Sequence, residues 1–87
     1  MNKGRNMTES YQEFYGKWYH VEVFVRALQD GAYNAFGTIR HAIRPPYVKS
    51  DLPFECPFDT YGERHSTSDA ALRAGIGFAR RVIDGVA

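Results

Sequence analysis

The sequence predicts an α+β fold: a three-stranded antiparallel sheet with one C-terminal helix packed on one face, in the order β-β-β-α. Three observations predict it. The stretch Ser66 to Gly85 divides into an apolar and a polar side at helical spacing. Residues 18–27 alternate with period two, as a half-buried strand does. Asp30-Gly31 then marks a turn, and a second alternating run follows from Tyr33 to Arg44.

In the first run, Tyr19, Val21, Val23, Val25 and Ala27 share one face. In the second, Ala35, Gly37, Ile39, His41 and Ile43 do so. Turn length decides how the runs pair. A two-residue Asp30-Gly31 loop sets Val21 against Arg40 and Val23 against Thr38. A three-residue loop, Gln29-Asp30-Gly31 with Gly31 in the left-handed region, sets Val21 against Ile39, Val23 against Gly37 and Val25 against Ala35. The second choice gives an apolar face that is small in the middle, as a covering helix requires, and it is preferred. Phe24 then faces Phe36 and His20 faces Arg40 on the other side.

Pro45 and Pro46 end the second strand, because proline cannot donate to the ladder. Residues Pro45 to Asp59 hold all four prolines and read as a long connection. A third strand is expected near Thr60 to Ser66. In the helix, Ala71, Leu72, Gly75, Ile76, Phe78, Ala79, Val82, Ile83 and Val86 fall within an arc of roughly 160°. Arg73, Gly77, Arg80, Arg81 and Asp84 fall outside it. Ser66 or Thr67 can cap the N-terminus, Asp69 suits the positive end of the dipole, and Gly85 reads as the C′ stop. Gly75, inside the buried arc, reads as a point of close approach to a large side chain of the sheet.

Eighty-seven residues make one domain, expected to span residues 11–87 after a disordered tail of residues 1–10. A short element at Tyr11 to Tyr15 could cover the free sheet face. The net charge of +1 provides no bulk attraction to nucleic acid or to an anionic membrane, and no membrane contact is expected. The single cysteine, Cys56, excludes an internal disulfide and fits a reducing, cytoplasmic setting. No secretory signal or apolar run of spanning length is visible.

The run Ser66-Thr67-Ser68-Asp69-Ala70-Ala71-Leu72, then Gly75, then Ala79-Arg80-Arg81-Val82-Ile83-Asp84, resembles the tail of small proteobacterial domains of unknown function. The hairpin centred on Asp30-Gly31 fits them too, so the resemblance spans roughly residues 15–85. It implies the fold and carries no catalytic residues. Such domains commonly place an aromatic or aliphatic residue in the strand before the helix, where this chain has His65. The β-β-β-α order is also similar to that of double-stranded-RNA-binding domains. Those place lysines at the start of the last helix to hold phosphates, whereas this chain has Ser68-Asp69-Ala70, and an aspartate there repels phosphate.

No metal or cofactor is expected. His20, His41, His65 and Cys56 match no ligand spacing. Glu55 and Asp59 flank Cys56, and negative charge raises a thiol pKa, the wrong direction for a nucleophile. No phosphate loop, nucleophile elbow or carboxylate pair is present, so a non-enzymatic module is expected. Arg73, Arg80 and Arg81 read as a solvated helix edge, with Arg80 and Asp84 spaced to pair. The candidate binding residues are those of the sheet face away from the helix: Trp18, Phe24, Arg26, Phe36, Arg40 and Arg44. Aromatic rings among arginines suit a protein interface, with another protein or a second copy of the chain. They also suit single-stranded nucleic acid, the alternative reading.

Overall fold

β-Branched and aromatic side chains at alternate positions favour the extended backbone. In the computed structural model, which describes residues 7–16, 18–42 and 54–86, such runs form most of the sheet. The elements in chain order are β1 (Met7–Tyr15), β2 (Tyr19–Ala27), β3 (Tyr33–His41), β4 (Glu55–Asp59) and α1 (Ser68–Val86). The strands pair in sequence order as an antiparallel meander. The sheet therefore has four strands among the described residues, one more than the sequence reading allowed.

The central hairpin follows the three-residue loop. Val21 pairs with Ile39, Val23 with Gly37, Val25 with Ala35, and Phe24 with Phe36. The Leu28 N–H donates to Ala32 O at 2.8 Å, the Gly31 N–H closes the turn onto Leu28 O at 3.1 Å, and Gly31 has φ 89°. A left-handed residue at that position costs glycine nothing. Asp30 Oδ1 accepts from the Ala32 N–H at 3.1 Å and braces the loop.

Three expectations about the strands need correction. Residues 7–10, read as the end of a tail, lie in β1. Residues 11–15 do not lie across the sheet. They belong to β1 and extend the sheet by pairing with β2. The last strand is Glu55–Asp59, within the expected loop, rather than 60–66. Past Asp59 the chain turns, with the Glu63 N–H donating to Thr60 O, so the expected strand reduces to one bridge between Tyr33 and His65. Pro57 is tolerated because β4 is an edge strand. Residues 1–6 and the chain from Ile43 to Pro53 lie outside the described residues.

The helix covers one face of the sheet. Tyr19, Val21, Val23, Ala35 and Ile39 from the sheet and Ala79 and Ile83 from α1 form the buried centre, with Ala71 buried nearby. Tyr15, Cys56, Phe58, Leu72, Ile76 and Val82 close around it. Cys56 is thus a β4 residue against the core, not a loop residue. The Phe58 and Phe78 rings pack at 5.4 Å. Thr67 is the N-cap: its Oγ1 accepts from the Ala70 N–H at 3.1 Å. Gly85 does not stop the helix, which continues to Val86.

Polar contacts pin the β1 side of the helix. Arg80 grips Glu13 through Nε–Oε2 at 2.8 Å and Nη2–Oε1 at 2.5 Å. Tyr15 Oη donates to Asp84 at 3.0 Å, and Ser68 Oγ donates to Glu9 Oε2 at 2.7 Å. Arg80 and Asp84 therefore pair with the strand rather than with each other, and Arg73 pairs with Asp69 at 2.7 Å.

Candidate functional site

Period two puts His20, Glu22, Phe24 and Arg26 of β2 on the face opposite the helix, with Phe36, Thr38 and Arg40 of β3 beside them. β1 adds Ser10, Gln12 and Phe14, and β4 adds Glu55, Pro57 and Asp59. No described element lies over this face, because α1 packs on the other side.

Its centre is apolar. The Phe24 and Phe36 rings stack at 5.4 Å. The Arg26 guanidinium lies 4.6 Å from the centre of the Phe36 ring and 5.7 Å from that of Tyr61. Arg26 is also forked onto Asp59, at 2.7 Å and 3.4 Å. Toward the other end of the strands, opposite His20, Arg40 bridges Glu55 at 3.0 Å and Glu22 at 3.3 Å. Those two carboxylates, Glu55 foremost, raise the Arg40 pKa further and keep its charge fixed. At the far end Phe14 packs on His20 at 5.1 Å, and His20 Nε2 meets Gln12 Oε1 at 3.2 Å. Beside Phe36, a shallow groove of about 430 Å³ runs between β3 and β4, floored by Gly37, Thr38 and Pro57 and walled by Tyr61.

The structure brings Phe24, Arg26 and Phe36 into one cluster. Arg40 stands apart in its own ion-pair group. Trp18 lies beyond His20 in the turn before β2, half exposed, and its carbonyl accepts from the Ala42 N–H at 2.6 Å. Arg44 lies outside the described residues. Phe14, Tyr61 and the carboxylates Glu22, Glu55 and Asp59 were not among the sequence candidates. The carboxylates change the electrostatics. Two guanidinium groups face three carboxylates, so the arginines are spoken for within the chain.

The chain matches no protein-family model, no curated protein and no solved structure. Among the described residues no helix is long and apolar enough to cross a membrane, and no three metal-ligating side chains gather at one point.

Proposed function

We propose that this chain is a small non-enzymatic interaction module that binds a protein surface through the sheet face opposite α1. The observation that carries the reading is the half-buried Phe24–Phe36 stack, over which no described element lies, flanked by closed ion pairs. An apolar centre with a satisfied polar rim is the anatomy of a protein interface. A phosphate-binding face needs arginines with unspent donors, and Arg26 and Arg40 are both committed to carboxylates. This favours a protein over single-stranded nucleic acid.

A photo-crosslinking residue in place of Phe24, expressed in the native cells, tests the proposal. Cross-links should concentrate on one protein and disappear when Phe36→Glu is added. Fluorescence anisotropy with short single-stranded DNA and RNA at low salt should show no binding. Salt-dependent oligonucleotide binding that is lost in Arg40→Ala would transfer the face to the nucleic-acid reading.

A further inference from the structure

The two edges of the sheet are built differently. In an antiparallel ladder, alternate residues turn their backbone groups toward one neighbour and then the other. The Ala42 N–H to Trp18 O bond and the Leu28–Ala32 bond show that the even-numbered residues of β2 face β3. The odd-numbered ones therefore face β1, where Tyr19 meets Tyr15, Val21 meets Glu13, and Val23 meets Tyr11. In β1, the N–H and C=O groups of Ser10, Gln12 and Phe14 are thus left pointing out of the sheet. On β4, the His41 N–H to Phe54 O and Thr60 N–H to Ala35 O bonds show that Glu55, Pro57 and Asp59 point outward. The middle one of those three has no N–H to offer. The short, proline-blocked β4 edge resists strand addition, whereas nine-residue β1 has neither proline nor lysine to prevent it.

We infer that β1 pairs antiparallel with β1 of a second copy, joining two sheets into one continuous sheet about a twofold axis at Gln12. The inference uses the strand edge and does not rest on the face proposed above. A second copy is the occupant because the edge is complementary to itself in one register, which charge and strand length select together. Pairs centred on Ser10 or Phe14 also keep carboxylates apart. The first, however, runs into the irregularity between Met7 and Glu9, and the second runs past the end of β1 at Tyr15. Centring the pair on Tyr11 sets Glu9 against Glu13 of the second copy, and centring it on Glu13 sets that carboxylate against its own image. Like charges directly opposite are destabilising. Centring on Gln12 sets Tyr11 against Glu13 of the copy and Tyr15 against Glu9 of the copy, with no carboxylate facing another. Phe14, 73% exposed in the single chain, then lies opposite Ser10 of the copy.

Sedimentation equilibrium of the full chain up to about 1 mM should show twice the 9.9 kDa chain mass. Hydrogen exchange should show the Ser10, Gln12 and Phe14 amides gaining protection with concentration. The Tyr11 and Glu13 amides, already bonded to β2, should be protected throughout. Gln12→Pro removes an outward N–H and the exposed Gln12–His20 contact, neither of which belongs to the ladder with β2, so the monomer keeps its fold and the dissociation constant rises at least about tenfold. Phe24→Glu leaves the edge intact and should leave the dimer intact. A monomer at the highest concentration overturns the inference. So does a dimer whose three edge amides exchange freely, or one that Phe24→Glu breaks and Gln12→Pro does not. Should Gln12→Pro fail to fold, the exchange pattern of the unaltered chain decides.

Discussion

Gly75 of α1 sits against Ala35 of β3 so closely that a Cβ on the glycine would lie 2.7 Å from the alanine Cβ and 2.8 Å from Val23 Cγ1. The sequence placed a close approach here but expected a large partner. The partners are small because both surfaces recede, which lets the helix seat low on the sheet. Gly75→Ala should therefore destabilise by about 1–3 kcal/mol through overpacking, despite a helix-propensity gain of ~1 kcal/mol. Gly77 provides the control. A Cβ there meets only the mobile tip of Arg81, at 3.4 Å, so Gly77→Ala should stabilise by up to ~1 kcal/mol. Urea midpoints of the two variants should move in opposite directions, and a shared direction would refute the seating argument.

Thr60 extends the ladder after β4 has ended. Its Oγ1 accepts from the Ala35 N–H at 3.0 Å and donates to Ala35 O at 2.9 Å, at a site only 6% exposed. Thr60→Val keeps the shape and strands a buried donor, at a cost of about 1–3 kcal/mol. Thr60→Ser should recover most of the loss in thermal or urea unfolding. If serine and valine are equivalent, the hydroxyl is not the source of the stability.

The Glu13–Arg80 contact makes stability depend on acid. The forked hydrogen bond from Arg80 holds the Glu13 pKa below its ordinary value, against the opposing effect of burial. A carboxyl group with a lowered folded pKa binds its proton less readily folded than unfolded. Its contribution is therefore complete above the unfolded value of about 4.3 and is lost as pH falls through the lower folded one. Urea unfolding at pH 6 and pH 3 should show a smaller loss of stability for Glu13→Gln than for the unaltered chain. Equal losses would assign the acid sensitivity to other carboxylates.

The parts legible in the sequence were those where side-chain period and burial agree. β2, β3 and their register could be read because every inward residue from Tyr19 to Val25 is apolar. β1 was hidden because its inward positions include Glu9 and Glu13. Those charges meet Ser68 and Arg80 across the helix, contacts invisible to a period-two pattern. β4 was hidden because Pro57 reads as a breaker, and only its place at the sheet edge makes it acceptable. At the candidate site, the aromatic pair followed from register alone. The carboxylates that quench the arginines came from β4 and from Glu22, so the face read as more basic than it is.

Arg26 shows what that quenching means. Its guanidinium is forked onto Asp59 while lying over Phe36, with both charged side chains 23% exposed. Planarity lets one group satisfy two carboxylate oxygens and a ring face together, which an ammonium cannot do. Arg26→Ala should cost about 1–2 kcal/mol, the sum of a half-buried ion pair and a cation–π contact. Arg26→Lys keeps the charge but should recover less than half of that. Tyr61, 79% exposed and farther from the guanidinium, should matter little when changed to alanine. A double-mutant cycle of Arg26→Ala with Asp59→Asn isolates the pair, and a coupling near zero would contradict the structural role. If lysine proves as good as arginine, charge alone is at work, and Arg26 returns to the set of groups available to an anionic ligand. If it does not, Arg26 is a strut that ties β2 to β4 across the Phe36 ring, and the apolar rings rather than the charge are what the face presents.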